Sequence, residues 1–543
     1  MRQSRALSNP QIARAALVVL LGFLASGLLG LVRTAVIAAA FGTGEALDAF
    51  VAAQRIPEAL FVLVAGGALG SSFIPVFSRL RAENSDETSA WQLASAVMTL
   101  AALAAVFLGG LVIVLAPWFV PLLESGKSAE QQALTTSLTQ LMMITPVIFS
   151  VSGLLMGILH AHQNFLLPSL AISMNNIGLI VGALVIAPLL PADPGVAQVE
   201  DVNAYGLAYG AILSAVLHLL VQLPGLRKVR AHLRFLPDWR IPGVIEVLRL
   251  MGPRVLGLAV VQVNFFVNIV LTSGMIDGSR AALTTAFTLM FFALGIIGQS
   301  VGSAVFPSLS ALAAENDMDG FKARLSSAMR GVLFLSFPAT VGLIVLGEAI
   351  VSLFERDQWT AESTAATAWA LAFYATGIAG FSLLEVLSRA FYALEDTKTP
   401  VIVGTMAMLS NIVLSLVFIQ FIGDPASLAH GPFAGLALAN ALTTLFEGLA
   451  LWWLMRRRIG ALGTIGGIND RHILGGAWRA LTASLGMGIV IWLLGQALAE
   501  ASRPVSALVG VMVGGGVFFG LSLILGIDEA KAVPIMILHR IRR

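Results

Sequence analysis

The sequence predicts an all-α integral membrane protein of about 14 transmembrane helices, arranged as two six-helix lobes related by parallel duplication plus two C-terminal helices. Composition is the first reason, because 57% of the 543 residues are hydrophobic and only 11% are charged. A soluble domain carries about 25% charged residues, since its surface must face water. The other two reasons are the number of long apolar stretches and an internal repeat.

The apolar stretches are long enough to be membrane spans. A helix needs roughly 20 apolar residues, at 1.5 Å each, to cross about 30 Å of hydrocarbon. The stretches that meet this requirement are 13–41, 46–78, 91–121, 132–160, 165–190, 203–223, 243–274, 281–313, 322–354, 363–394, 400–422, 431–455, 474–499 and 504–526. Glycine and proline interrupt several of them, as membrane helices tolerate where neighbours satisfy the freed backbone groups.

The positions of the basic residues predict that both termini lie in the cytoplasm. With the amino terminus inside, the even-numbered loops become cytoplasmic, and these loops are rich in lysine and arginine, as the positive-inside rule requires. The basic residues after the sixth and twelfth stretches and at the carboxyl terminus are Arg227, Lys228, Arg230, Arg234, Arg240, Arg456, Arg457, Arg458, Arg471, Arg540, Arg542 and Arg543.

The chain also repeats itself at an offset of 232 residues. Residues 70–84 read GSSFIPVFSRLRAEN and residues 302–316 read GSAVFPSLSALAAEN, and the same offset pairs Pro168 with Pro400. Six predicted spans separate equivalent points, so both copies cross the membrane in the same sense. The predicted organisation is an N-terminal lobe (1–223), a basic cytoplasmic linker (224–242), a C-terminal lobe (243–457) and two additional helices (474–526).

The missing motifs predict a transporter rather than an enzyme. The chain has no cysteine, so disulfides and cysteine-ligated metals are excluded. It also lacks a P-loop, a GxSxG elbow and metal-ligand spacing, so we expect no catalytic residue, no metal and no cofactor. Its basic residues lie in short loops, which indicates topology and not a nucleic-acid interface. A static membrane scaffold remains an alternative.

Charged and polar residues within the spans are the candidate binding residues. A charge at the centre of a span costs about 2.5–3.5 kcal/mol on insertion scales, so each one needs a reason. The predicted substrate-binding residues are Arg33, Asp48, Arg55, Arg254, Asn264 and Asn268. For the arginines the alternatives are side chains that reach the interface and a helical pair between Arg55 and Glu58. For the asparagines the alternative is interhelical hydrogen bonding.

Other polar residues within the spans carry no predicted substrate contact. The i, i+4 spacing of Glu385 and Arg389 is typical of a structural ion pair. Asn411 is predicted to be structural as well. The isolated acids Glu348 and Glu447 have no predicted role.

Residues 28–80, LLGLVRTAVIAAAFGTGEALDAFVAAQRIPEALFVLVAGGALGSSFIPVFSRL, resemble the opening of the MurJ/MviN lipid II flippase family. Further similar stretches are MGPRVLG (251–257), FPSLS (306–310) and RAFYALEDTKTP (389–400). The resemblance covers nearly the whole chain. It implies the fold of the multidrug/oligosaccharidyl-lipid/polysaccharide exporter superfamily. It also implies movement of the undecaprenyl-pyrophosphate-linked peptidoglycan precursor from the inner to the outer leaflet by alternating access.

The resemblance further implies the bacterial cytoplasmic (inner) membrane as location, with a lipid-linked glycan, the bilayer and cell-wall synthesis machinery as partners. Arg33, Asp48 and Arg55 occupy conserved positions of the family pattern. The positions where that pattern has a charge and this chain does not are Gly27, Thr34, Phe61, Gly66 and Thr288. Arg254 and Arg280 are the candidate replacements.

These departures keep two alternatives open. The first is an exporter of another lipid-linked glycan or of a small molecule, and the second is a flippase-like scaffold without transport activity. Coupling to the membrane potential or to a cation gradient is also left open.

Overall fold

The computed structural model describes residues 9–64, 67–83, 87–191, 198–199, 202–460, 470–498 and 503–531. The chain divides into two compact units, Met1–Ala281 with Arg356–Trp359, and Ala282–Glu355 with Thr360–Arg543. The predicted lobes divide the chain earlier, between residues 223 and 243. That division follows the repeat rather than the contacts, and it stays a prediction.

The first unit is built almost entirely from helices. They are α1 (Asn9–Phe41), α2 (Glu45–Val64), α3 (Gly67–Glu83), α4 (Thr88–Leu123), α5 (Ala129–Met142), α6 (Ile144–Ala161), α7 (Leu166–Val181), α8 (Ala187–Leu189), α9 (Tyr205–Leu220), α10 (Leu223–Lys228) and α11 (Val244–Ser273). A π-helical turn, Gly182–Ile186, joins α7 to α8. Between α8 and α9, β1 (Gln198–Val199) pairs antiparallel with β2 (Val202–Asn203).

The remaining helices begin with α12, whose first residues belong to the first unit. They are α12 (Ser279–Leu294), α13 (Ser300–Ala314), α14 (Met318–Val351), α15 (Ala361–Ala375), α16 (Ile378–Ala393), α17 (Lys398–Phe418), α18 (Phe433–Ile459), α19 (Asp470–Ala497) and α20 (Arg503–Ile524). A π-helical turn, Gly295–Gln299, joins α12 to α13, and a 3-10 turn, Ser352–Phe354, follows α14.

The all-α membrane prediction is confirmed, whereas the number fourteen stays a prediction. Over the described residues, ten helices are long and apolar enough to cross a membrane, and the bent pair α15–α16 makes an eleventh. The stretch predicted as one span over 363–394 consists of two helices that meet at 47°, and its prediction as a single span is left untested. Their junction packs closely on α18, where a Cβ on Gly377 would lie 2.7 Å from the Ala441 Cα.

The helix bounds repeat at the offset found in the sequence. α5 begins at Ala129 and α15 at Ala361, while α6 ends at Ala161 and α16 at Ala393. The capping chemistry repeats as well, because the hydroxyls of Ser128 and Thr360 accept hydrogen bonds from the backbone N–H three residues on. An N-cap hydroxyl satisfies one of the unpaired amides of the first turn. Equivalent residues therefore start equivalent helices.

Aromatic and aliphatic side chains pack each unit internally. In the first unit Phe73 and Phe77 are fully buried among α3, α4 and α6. In the second unit Leu346 of α14 packs with Met487 of α19 and Phe518 of α20. Large apolar side chains are also exposed along the helices, as a protein whose outer surface faces lipid requires.

Candidate functional site

Two arginines of the first two helices form a cationic group in the first unit. Arg33 is half-buried on α1 and lies within electrostatic range of Arg55 and Glu58 on α2. The Arg55 Nη1 donates to the Glu58 Oε2 at 3.0 Å. The guanidinium of Arg55 also lies over the ring of Phe265 on α11, 4.5 Å from its centroid. We call Arg33, Arg55, Glu58 and Phe265 the arginine group.

The arginine group carries one more positive than negative charge on apolar helices. A guanidinium presents several N–H donors in a rigid fork, which matches the oxygens of a phosphate, and it stacks on an aromatic face without losing those donors. The pair between Arg55 and Glu58 confirms the helical pair that was the alternative interpretation. It does not close the site, because the Arg55 side chain keeps 26% of its surface exposed.

The asparagines predicted on the seventh span lie on the same helix as Phe265. Asn264 and Asn268 are half-buried on α11, and Asn264 directly precedes Phe265. Arg254 lies on the same helix, but its side chain is outside the described residues. The structure therefore brings Arg33, Arg55 and the middle of α11 together. It does not test the prediction that Arg254 binds the substrate.

Asp48 lies in a different place, inside a buried network. Its side chain is fully buried at the start of α2, and its carboxylate accepts the backbone N–H of Gly278 (2.9 Å) and of Ala281 (2.7 Å). These amides belong to the start of α12, where a negative charge is favoured because the first amides of a helix lack partners. The carboxylate caps α12, and it is not accessible for the predicted contact with substrate.

Arg280 completes the network, so it does not replace a missing cavity arginine. Only 4% of its side chain is exposed, and its Nη2 lies 2.9 Å from a carboxylate oxygen of Glu124. Its Nε donates to the Thr272 hydroxyl, and its Nη1 donates to the Asp48 carbonyl oxygen at 3.0 Å. All three nitrogens of the guanidinium thus donate hydrogen bonds within the protein.

Three residues of this network, Glu124, Lys127 and Asp277, were missed by sequence reasoning. Burial raises the pKa of the Glu124 carboxyl, and the neighbouring Arg280 guanidinium opposes that shift without cancelling it. Lys127 is buried too, with its Nζ 2.6 Å from Asp277 and 3.8 Å from Asp48. We call Asp48, Glu124, Lys127, Asp277 and Arg280 the buried charge network. Each missed residue is charged and lies in a short loop between two spans, and this is the feature of the sequence that could have indicated it.

The second unit holds the predicted structural pair. Arg389 and Glu385 form an ion pair on α16, and the Arg389 Nη2 donates to the Ser303 hydroxyl at 3.3 Å. Asn411 donates to the Thr443 hydroxyl at 3.3 Å, which is an interhelical bond between α17 and α18. In the part of the chain that the structure describes, no three His, Asp or Glu side chains are grouped closely enough to hold a metal ion.

Glu447 is an isolated acid on α18, and its replacement by glutamine is expected to stabilise the protein. Its carboxylate packs against Gly404 of α17, where an added Cβ would lie 3.0 Å from the Oε1. Among the described residues no cation lies within 4 Å of it. A charged carboxylate without a partner in an apolar setting is costly, whereas an amide is neutral.

The expected effect of Glu447→Gln is a rise of a few degrees in the melting temperature. Thermal unfolding in detergent measures it. Glu348→Gln is the control, because Glu348 is exposed and lies 3.9 Å from Arg503. A lower melting temperature for Glu447→Gln at pH 8 would contradict the expectation.

Comparison with known proteins places this architecture in a family. The model of the family described as lipid II flippase MurJ matches residues 37–511. A lipid II flippase MurJ of Burkholderia cenocepacia is 32% identical over 452 residues, which cover 82% of this chain and 84% of that protein. A probable lipid II flippase MurJ of Bdellovibrio bacteriovorus is 27% identical over 533 residues, 96% of both chains.

Solved structures share the fold. A lipid II flippase MurJ in an inward closed conformation superposes with a TM-score of 0.75 at 24% identity, covering 94% of this chain and 98% of that chain. An inward-facing multidrug resistance MATE family transporter superposes with a TM-score of 0.65 at 16% identity, covering 80% and 94%. Both identities are low, so these two likenesses concern the fold alone.

Proposed function

Because this chain belongs to the lipid II flippase MurJ family, we propose that it moves lipid II from the inner to the outer leaflet by alternating access. Its substrate is then an undecaprenyl-pyrophosphate-linked glycan that stays in the bilayer while its head group crosses. Neither an exporter of another substrate nor an inactive scaffold is favoured by the family assignment.

The arginine group is the observation that carries the proposal for the binding site. A pyrophosphate must lose much of its hydration to cross the apolar part of a membrane, and cationic partners offset that cost. Arg33 on α1 and Arg55 on α2 offer two guanidinium groups within electrostatic range of each other, and the Phe265 ring lies under that of Arg55. We assign the pyrophosphate to these two arginines and polar contacts of the glycan to Asn264 and Asn268.

Asp48 takes a positioning role in this proposal. Its carboxylate holds the start of α12 through two backbone amides. It keeps Arg280 in place through its carbonyl oxygen. The group acts on the substrate only through the helix that it holds, so it does not count among the phosphate ligands.

Several further features belong to the proposal. Transport proceeds without covalent chemistry by this chain, and it is coupled to the membrane potential or to a cation gradient. Both termini lie in the cytoplasm, because the basic loops then follow the positive-inside rule. The partners are the lipid-linked substrate, the bilayer and the enzymes of cell-wall synthesis that make and use that substrate.

Complementation tests the function directly. The resident lipid II flippase of a bacterial host is depleted while this chain is expressed, and growth is scored together with the amount of chain in the membrane. Rescue of growth is the expected result. Membrane-inserted chain that restores no growth would count against lipid II as the substrate, and would favour another lipid-linked glycan.

Glu58→Gln is expected to tighten binding of the pyrophosphate by up to about tenfold. The native carboxylate competes with the substrate for Arg55, to which it lies 3.0 Å away, and a charge-assisted hydrogen bond contributes about 1.5–3 kcal/mol. Titration of lipid II onto purified protein, followed by native mass spectrometry, measures the dissociation constant.

Glu83→Gln is the matched control for this experiment. Glu83 is exposed and also faces an arginine, Arg79, at 3.9 Å, but on a different helix from the arginine group. Its replacement should leave lipid II binding unchanged. Weaker binding by Glu58→Gln would mean that Glu58 contacts the substrate itself.

A further inference from the structure

The basic linker between α9 and α11 is held in a defined place on α4. The backbone N–H of Arg234 donates to the Ser95 hydroxyl at 3.2 Å, and that of Leu236 donates to the Thr99 hydroxyl at 3.0 Å. Leu233 and Leu236 pack against the core of the first unit. The linker is thus an ordered part of the unit and not a free tether.

Its outward face combines exposed basic and exposed aromatic side chains. The exposed residues of this face are Arg227, Lys228, Arg230, Arg234, Phe235, Trp239 and Arg240. Phe235 is 74% exposed and Trp239 is 58% exposed. None of the five basic side chains forms an ion pair within the described part of the chain. Asp238 is the one acid of the segment, and it accepts the backbone N–H of Arg240. We call this face the linker surface.

The linker lies where α4 changes from a covered helix to a lipid-facing one. Residues 91–100 of α4 include no exposed residue, and Thr99, which holds Leu236, lies at the end of that stretch. Immediately beyond it α4 exposes large apolar side chains, with Leu103 42% exposed, Val106 54% and Phe107 71%. In a membrane, such a change in exposure is expected where the hydrocarbon begins, which would put the linker at the level of the lipid head groups.

From these observations we propose that the linker surface is a binding site for anionic phospholipid head groups in the leaflet next to it. Lysine and arginine attract anionic lipid phosphates near a membrane surface, and exposed tryptophan and phenylalanine settle at the head-group level. A soluble acidic partner would need the basic residues, but not two exposed aromatic residues beside a lipid boundary. The interaction concerns bulk lipid, and it is distinct from recognition of the transported substrate.

The test compares retention of phosphatidylglycerol and phosphatidylcholine by the purified full chain. The variant Arg230→Gln/Arg234→Gln/Arg240→Gln removes three charges that make no ion pair, so its fold is expected to survive. Native mass spectrometry counts the lipids retained from mixed micelles. We expect the preference for phosphatidylglycerol to fall by roughly a hundredfold, since each basic residue near an anionic surface contributes about a factor of five.

Two further variants make the result specific to this surface. Arg456→Gln/Arg457→Gln removes two charges at the end of α18 and should leave most of the preference in place. Phe235→Ser/Trp239→Ser keeps every charge and should still weaken retention of phosphatidylglycerol. An unchanged preference in the triple variant overturns the proposal. So does an equal loss in the triple variant and the α18 variant, which would reflect net charge alone.

A competition experiment separates lipid from an acidic protein. Polyglutamate is added to the native chain in phosphatidylglycerol micelles. We expect it to displace little of the retained lipid at physiological ionic strength, because it gains nothing from Phe235 and Trp239. Complete displacement at equal charge concentration would overturn the assignment to lipid and favour an acidic peptide as the ligand.

Discussion

Asp48→Ala is expected to lower the free energy of unfolding of the first unit by about 3–5 kcal/mol, which is the usual effect of removing one partner from a buried charge pair. The substitution leaves the amides of Gly278 and Ala281 without an acceptor at the start of α12. It also removes a negative charge from the surroundings of Lys127. The stability effect should therefore exceed that of any surface substitution in the same unit.

Thermal unfolding of the purified chain in detergent measures this effect, with two variants for comparison. Asp48→Asn keeps an oxygen acceptor but loses the charge, so it should fall between the native chain and Asp48→Ala. Asp277→Ala removes the exposed partner of Lys127 and should cost about 1 kcal/mol or less. An Asp48→Ala variant as stable as the native chain would contradict the expectation.

Arg33→Ala is expected to slow flipping by roughly tenfold to a hundredfold while the protein stays folded. A charge-assisted hydrogen bond contributes about 1.5–3 kcal/mol, and the variant loses a guanidinium of the arginine group. Growth after depletion of the resident flippase, with the membrane level of each variant measured, is the first readout. The rate of lipid II translocation in proteoliposomes is the second.

Two further variants, Arg33→Lys and Arg356→Ala, serve as the conservative variant and the control for that experiment. Lysine keeps the charge but not the planar fork, so it should restore part of the rate. Arg356 is an exposed arginine outside the arginine group, and its loss should leave transport unchanged. Full rescue by Arg33→Ala would place the pyrophosphate elsewhere in the protein.

Hydropathy and the repeat were sufficient to predict the fold, because long apolar stretches and a fixed repeat offset can both be read directly from the sequence. The bend between α15 and α16 was not predictable, because contacts such as the close approach of Gly377 to Ala441 are not visible in the sequence. Hydropathy averages over a whole stretch and carries no information on such a local contact. The repeat was the more exact guide, since it also located equivalent helix starts.

The candidate site was predictable in part, because charges within apolar stretches are visible in the sequence. Arg33 and Arg55 stood out as charges within apolar stretches, and the structure brings them within electrostatic range of each other. The support by Phe265 was not predictable, because it joins residues 210 positions apart in the chain. Asp48 and Arg280 were both noticed, but nothing in their own neighbourhoods showed that they share one network.

The contact between Asp48 and Arg280 also bears on how the two predicted copies of the repeat recognise each other. The two residues stand 232 positions apart, at equivalent places in the two copies, and they touch. Two identical unduplicated chains paired in this manner would bring aspartate against aspartate or arginine against arginine, which is repulsive. Opposite charges at the shared position favour pairing of unlike halves and disfavour pairing of like halves.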